Sequence, residues 1–174
     1  MENITIRPIE KKDNAALATI IRNALAEFNA DNPGTVYYDE TTDHLFEVFQ
    51  TGKGMYKVVA AGNEVLGGAG IYHTDGLDED TCELVKLYLA PQARGRGIAK
   101  QLMMECLEAA KAAGYKKIYL ETMPELQVAV PMYEKFGFTY LKGPLGNSGH
   151  TGCDIWMIKS LEDGVPVKRI DEVF

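Results

Sequence analysis

The chain has few of the residues that build metal centres and disulfide frameworks, with three cysteines and three histidines among 174 residues. Cys82, Cys106 and Cys153 are odd in number and lack metal-ligand spacing, so we expect reduced thiols in a reducing compartment and no metal. Apolar runs long enough to cross a bilayer are also missing, and the N-terminus has no apolar signal core. These absences predict a cytoplasmic protein with no membrane partner.

Positively charged residues are also fewer than negatively charged ones. The 18 Lys and Arg residues are outnumbered by 25 Asp and Glu residues, which gives a formal net charge of −7. Nucleic-acid binders generally carry a basic face, so we expect no nucleic-acid partner, and a cationic acceptor such as an amine suits this balance better. No Pro- or Ser-rich linker divides the chain. This predicts one domain over residues 1–160 and a charged tail over 161–174 that is either docked or flexible.

Apolar periodicity predicts alternating strands and helices. Strands are predicted over residues 4–7, 55–61, 64–73, 82–89, 117–121, 138–141 and 153–158. Helices are predicted from a cap at Asp13 to Phe28, from residue 41 or 43 to 49, from Ile98 to a Gly114 cap, and over 125–136. Pro131 falls late in the last of these and predicts a kink, because proline removes a backbone hydrogen bond. A Gly-rich loop over 143–152 separates the last two strands and is of a kind that often shapes a substrate site.

The most informative segment is the run from Glu83 to Ala99, in which an apolar strand leads to a Gly- and Arg-rich turn that opens a helix. Gly95 and Gly97 allow a tight bend that presents successive backbone N–H groups, and the first N–H groups of a helix have no intrahelical partner. Together with the helix dipole, this arrangement predicts a cradle for a phosphate-bearing ligand. The alternative is a tight turn that binds nothing. Further cations are supplied by Arg94, Arg96 and Lys100.

Two common phosphate motifs do not fit this turn. A dinucleotide fingerprint needs a third glycine where Lys100 stands, and a P-loop needs Gly-Lys-Ser/Thr after a longer glycine gap. What remains, Gln92-x-x-Gly95-x-Gly97, resembles a signature of the GNAT superfamily of acyl-CoA N-acyltransferases. A second motif, the run Tyr133-Glu-Lys-Phe-Gly-Phe at a helix end, resembles the other signature of that family. One departure is Leu126, which stands where family members often have asparagine.

The resemblance implies an α/β fold of the mixed (α+β) kind. We expect a mostly antiparallel, twisted sheet of about seven strands flanked by helices, with strands four and five splayed so that acetyl-CoA lies in the gap. The pyrophosphate would rest on the N–H groups of Arg94 through Ala99, and the backbone near Leu87 and Leu89 would pair with the pantetheine amides. The implied cofactor-binding residues are Leu87, Tyr88, Leu89, Gln92, Arg94, Gly95, Arg96, Gly97, Ile98 and Ala99.

The resemblance also implies the chemistry: transfer of an acetyl group from acetyl-CoA to a primary amine by direct attack in a ternary complex. A lysine-type amine with a pKa of about 10.4 is neutral in only roughly one molecule in two thousand at pH 7, so a base matters. By resemblance, Glu83 is the base and Tyr133 is the acid that serves the leaving thiolate. Alternatively, Glu83 is solvated or pairs with Lys86, and Tyr133 merely packs at a helix end.

Two other functions stay open at this stage. The first is a non-catalytic module that binds acyl-CoA as a sensor. The second is covalent transfer through Cys82, which is disfavoured because no cation or base is identifiable beside it. The acceptor would be a small-molecule amine or a protein amine, and a homodimer through an edge strand would be natural for this fold. On the acceptor side, the resemblance implies the residues Tyr37, His73, His150, Asp154 and Trp156.

Overall fold

The structure is a computed structural model that describes residues 3–162. Most of the tail predicted from residue 161 lies outside that range. Within it, Leu161 is buried and its N–H donates to the carbonyl of Lys116, so the chain remains packed against the domain just after the last strand.

The centre of the fold is a seven-stranded sheet in the order β1-β2-β3-β4-β5-β7-β6. Among the described strands, β4 and β5 pair in parallel and the other neighbours pair antiparallel. This arrangement confirms the predicted mixed, mostly antiparallel sheet. The strand bounds are β1 Ile4–Pro8, β2 Gly54–Ala61, β3 Glu64–Tyr72, β4 Thr81–Leu89, β5 Lys117–Thr122, β6 Thr139–Leu141 and β7 Ile155–Ser160.

Helices cover both faces of the sheet, with bounds α1 Asn14–Glu27, α2 Leu45–Val48, α3 Ile98–Ala112 and α4 Ala129–Lys135. On one face α3 buries an apolar stripe that includes Leu102 and Cys106 against strand residues such as Ile118. On the other face α1 buries Ile21 and Leu25 in a second cluster with the inner strands. Helical spacing places these side chains on one side of each helix, as the periodicity predicts.

The parallel ladder between β4 and β5 is short. Glu83 and Tyr119 form its last pair, although β4 continues to Leu89 and β5 to Thr122. Beyond that pair, no strand within residues 3–162 lies beside the main-chain groups that face across the gap. A register shift between β3 and β4 adds to the separation, and Lys86 has a φ of 52° at this bulge. The predicted splay of strands four and five is confirmed.

Two local predictions are wrong for physical reasons. The Asp13 side chain does not cap α1; it is buried, accepts from the Glu10 N–H at 2.8 Å and pairs with Arg7 at 2.7 Å. A buried carboxylate requires such partners, and they outweigh a cap. Pro131 is the third residue of α4, because this helix begins at Ala129 rather than 125. In a first turn the missing N–H has no intrahelical acceptor to lose, so no kink follows.

Candidate functional site

A cavity of about 690 Å³ opens where β4 and β5 separate. Main-chain and apolar groups form much of its wall, since Leu87 and Leu89 come from β4 and Ile98 and Ala99 from the start of α3. Met132 and Tyr133 of α4 close another side. A long ligand with an apolar middle would find matching surface here.

The outer end of the cavity is the turn that precedes α3. Gly95 and Gly97 have φ values of 70° and 75°, and a Cβ on either would meet no other atom within 4 Å. The glycines are therefore required by the backbone conformation, while the space beside them stays open. Within the part of the chain that the structure describes, no hydrogen bond uses the N–H groups of Gly95 through Ala99. The N–H of Arg94 donates to the Pro91 carbonyl, so the predicted cradle starts one residue later, at Gly95.

Two of the predicted cofactor residues, Gln92 and Arg96, are not among the residues that line the cavity. Gln92 donates to the Glu64 carboxylate at 3.1 Å, and Arg96 is exposed. The Arg94 side chain lines the cavity but is anchored, because its guanidinium donates to Glu27 at 2.9 Å and lies 5.2 Å from the centre of the Phe28 ring. Positive charge at the cavity itself also comes from two lysines: its lining includes Lys100 and Lys135.

Near the inner end, Glu83 is 4% exposed and does not itself line the cavity, whereas the next residue of β4, Leu84, does. Thr74 donates its hydroxyl to the Glu83 carboxylate at 2.8 Å. Burial and the negative charge of Glu121 raise the pKa of Glu83 to about 7. The interpretation of Glu83 as a solvated carboxylate is therefore wrong. Lys86 and Glu121, whose charges act on Glu83, both line the cavity.

Tyr133 of α4 both packs in the core and lines the cavity. Its ring contacts Phe138 edge to face, with centroids 5.9 Å apart. Burial raises the pKa of the Tyr133 phenol, so the hydroxyl keeps its proton at neutral pH and can donate a hydrogen bond. The two interpretations of this residue, packing and proton donation, are compatible.

A polar network that no sequence motif indicates lies around the inner end. Asp39 accepts from His150 Nε2 at 3.0 Å and lies 3.7 Å from Lys86 Nζ, and these contacts lower its pKa. Glu121 accepts from the Tyr119 hydroxyl at 2.8 Å and from the Ser148 hydroxyl. The alternation of β5 was an available signal for Glu121, because Tyr119 and Glu121 project from the same face of a strand.

One buried polar atom at the cavity has no partner among the described residues. Thr122, at the end of β5, is one of the residues that line the cavity, and its buried hydroxyl makes no hydrogen bond. Such an atom is costly unless a ligand or water satisfies it. With the unpaired strand edges and the N–H groups at the turn, it completes a donor and acceptor set that fits a long amide- and phosphate-bearing ligand such as acetyl-CoA.

The predicted acceptor residues divide into two groups. His150 joins Asp39 at the inner end, and Trp156 pairs in register with Glu121, which places both side chains on one face of the sheet. Tyr37 packs at the α1 face. His73 instead stacks on Tyr115 with ring centroids 6.0 Å apart, and Asp154 is exposed. The structure thus brings only part of the predicted group to the inner end.

The three cysteine thiols are poorly suited to nucleophilic chemistry. Burial raises the pKa values of Cys82, Cys106 and Cys153 to about 12 each, which makes them poor nucleophiles. A search of residues 3–162 finds no cluster of side chains arranged to hold a metal ion. It also finds no helix long and apolar enough to cross a membrane.

Comparison with known proteins gives consistent results. The model of the acetyltransferase (GNAT) family matches residues 21–138. The uncharacterized N-acetyltransferase YjgM of Escherichia coli (strain K12) is 39% identical over 158 residues, which cover 90% of this chain and 94% of that protein.

Solved structures share the fold. An acetyltransferase of the GNAT family from Staphylococcus aureus Mu50 superposes with a TM-score of 0.81 at 18% identity, covering 92% of this chain and 100% of that one. The yncA protein of Salmonella typhimurium, solved with its cofactor acetyl-CoA, superposes with a TM-score of 0.71 at 22% identity, covering 93% of this chain and 96% of its own.

Proposed function

This chain belongs to the acetyltransferase (GNAT) family and is an N-acetyltransferase, and we propose that it moves an acetyl group from acetyl-CoA to a primary amine by direct attack in a ternary complex. The observation that carries the proposal is a buried carboxylate, Glu83, whose pKa of about 7 suits a base and which precedes the cavity-lining residue Leu84 on β4. Bound acetyl-CoA supplies an acyl group that is activated as a thioester.

The turn and the strand edges would hold the cofactor. The N–H groups from Gly95 to Ala99 and the ammonium groups of Lys100 and Lys135 would face its phosphates. Backbone groups of β4 from Leu87 to Leu89, with the Thr122 hydroxyl, would meet the amides of its arm. The contacts are mostly main chain, so conformation matters more than side-chain identity along this part.

Glu83 takes the proton from the attacking amine. Because Glu83 is buried and is not among the residues that line the cavity, it acts through a bridging water or after a small movement of neighbouring side chains. At pH 7 about half of the molecules carry it in the ionised form, since its pKa is about 7. A positioned base of this kind typically contributes about 10² to 10⁴-fold to the rate.

Tyr133 serves the leaving sulfur on the other side of the reacting centre. Its phenol remains protonated at neutral pH and lines the cavity, which supports a role as hydrogen-bond donor and acid. The three thiols have pKa values near 12, which supports direct transfer over a route through a covalent cysteine intermediate.

The first experiment is calorimetric titration of acetyl-CoA into the wild-type protein and Gly95→Asp. Gly114→Asp is a matched control, because Gly114 also has positive φ with open space around it but follows the other end of α3. We expect binding by the wild type and the control and none by Gly95→Asp, which places a carboxylate in the cradle. No binding by the wild type would overturn the proposal.

Turnover across a panel of amines then tests the reaction itself. Release of CoA that depends on an added amine, with the acetylated amine identified by mass spectrometry, is the expected result. Binding of acetyl-CoA without acetylation of any amine would contradict the transfer proposal and favour a sensor of acyl-CoA.

A further inference from the structure

Lys86 has an unusual place in this site. It stands at the bulge in β4 with a φ of 52°, and its side chain lines the cavity although it is only 9% exposed. Non-glycine residues seldom adopt this left-handed conformation, and the β-region is the norm within a strand. Strained backbone of this kind persists where the surroundings enforce it and is concentrated at functional positions.

The surroundings do enforce it. The hydroxyl of Tyr56, a buried residue of β2, donates to the Lys86 carbonyl at 2.8 Å. The Tyr56 ring reaches this position over two glycines of β3, since a Cβ on Gly68 or Gly70 would lie 2.5 or 2.7 Å from the ring. Residues from three strands thus cooperate to hold the Lys86 backbone, and they determine where its side chain enters the cavity.

The Lys86 ammonium is incompletely satisfied. Among residues 3–162, the carboxylate that lies within 4 Å of its nitrogen belongs to Asp39, at 3.7 Å, which is beyond ordinary hydrogen-bond reach. The same Asp39 oxygen already accepts from His150 at 3.0 Å. A lysine ammonium has three N–H donors, and a buried one is costly unless acceptors are supplied. An anionic group of a ligand would supply them.

We propose that Lys86 binds a carboxylate of the acceptor, so that the acceptor is a small amine that also bears a carboxylate, as an amino acid does. This inference rests on the proposed function, because it assumes that the amine is placed for Glu83. Glu83 and Lys86 stand three residues apart on β4, with Lys86 at the bulge, and the charge of each acts on the other. One small molecule can therefore present its amine to Glu83 and its carboxylate to Lys86.

A carboxylate fits this position better than a phosphate. Asp39 lies beside the Lys86 ammonium, and Glu83 and Glu121 lie nearby. A second negative charge on the ligand would be attracted by the one lysine but repelled by each of these carboxylates, so it adds more repulsion than attraction where the carboxylates outnumber the cation. The charges around Lys86 therefore favour a ligand with a singly charged anionic group on a molecule that also bears an amine.

The test compares free amino acids with the corresponding amino acid amides, which keep the α-amine and side chain but lack the carboxylate. The readout is the acid-to-amide ratio of kcat/KM in the wild type relative to Lys86→Met. We expect the variant to lower this ratio by about 10- to 100-fold, the loss typical of a hydrogen bond to a charged group, mainly through KM for the acids. Lys116→Met, whose side chain is 61% exposed, is the matched control and should leave the ratio unchanged.

A binding measurement complements the kinetics. In calorimetric titration of the preferred amino acid into protein saturated with CoA, the wild type and Lys116→Met should bind and Lys86→Met should not. Lys86→Arg keeps the charge and should retain part of the preference for acids. If Lys86→Met is unfolded by circular dichroism, Lys86→Gln decides by the same ratio.

Failure of the proposed function and failure of the Lys86 assignment give different experimental results. If the wild type acetylates no amine at all, the proposed function fails. If it acetylates amines but the acid-to-amide ratio is the same in the wild type and Lys86→Met, the assignment of Lys86 is overturned while the transferase activity stands.

Discussion

The two ends of the cavity are built in different ways. The outer end is a continuous turn in which Gly95, Gly97 and the first residues of α3 offer backbone N–H groups. At the inner end the lining residues Lys86 and Glu121 neighbour side chains from distant segments, among them Asp39, Glu83 and His150, which are held by hydrogen bonds and charge. A main-chain site depends on conformation and tolerates most side-chain changes, whereas a side-chain site depends on each charge.

The strongest test of this contrast is Glu83→Gln. At neutral pH we expect kcat/KM to fall by about 10² to 10⁴-fold, because a buried base is lost while the shape is preserved. The defect should shrink as pH rises, since the acceptor amine then loses its proton without help. Steady-state rates between pH 6 and 10 measure this, and a loss of equal size at every pH would argue against the base.

Tyr133→Phe removes one hydroxyl from the same end. We expect kcat to fall by about 10²-fold with little change in acetyl-CoA affinity, because the ring still packs on Phe138. Rate measurements together with calorimetric titration separate these two effects. Unchanged turnover would remove the acid assignment from Tyr133.

At the outer end, Gly95→Ala should weaken acetyl-CoA binding by roughly tenfold. The new Cβ meets no neighbour, but the φ of 70° is unfavourable for alanine by about 1 to 2 kcal/mol, so the turn shifts away from its binding conformation. Leu89→Val, which leaves the β4 backbone in place, is expected to have a smaller effect. The dissociation constants of acetyl-CoA for both variants measure the two losses of affinity. A larger loss in Leu89→Val than in Gly95→Ala would contradict the difference between main-chain and side-chain recognition.

Glu121→Gln should change the pH profile more than the maximal rate. The negative charge of Glu121 helps to raise the pKa of Glu83, so its removal lowers that pKa and moves the acid limb of kcat/KM to lower pH. Profiles of the wild type and the variant, fitted to one ionisation, measure the displacement. A profile that moves to higher pH would contradict the proposed coupling.

The smallest expected effect concerns stability. In the folded state the pKa of Glu83 is about 7, above the ordinary 4.5, so the folded protein binds the proton more tightly than the unfolded chain. Protonated Glu83 therefore contributes up to about 3 kcal/mol to the free energy of unfolding. This contribution is fully present below pH 4.5 and is lost as pH rises through 7. Glu83→Gln should therefore gain stability relative to the wild type between pH 5 and 8 in urea unfolding. If the free energies of unfolding of Glu83→Gln and the wild type differed by the same amount at pH 5 and at pH 8, this expectation would be contradicted.

Much of the fold could be predicted because its signals are local. The hairpin of β2 and β3, the stripe of α3 and the turn at Gly95 each lie within one short stretch of sequence. The Asp13 and Pro131 predictions failed where a tertiary contact or a helix boundary changed the environment of the residue. At the site, Glu83 and Tyr133 could be named from motifs, and their catalytic roles stay predictions.

By itself, the sequence determined the family, the order of strands and helices and the glycine turn at the outer end, because glycines and apolar periodicity act on neighbouring residues. Only the tertiary structure decided the inner end. The pKa of Glu83 depends on burial and on Glu121, and the position of Lys86 depends on Tyr56 and the glycines of β3. Burial, charge proximity and backbone strain are properties of residues brought together from distant parts of the chain, so no local pattern encodes them.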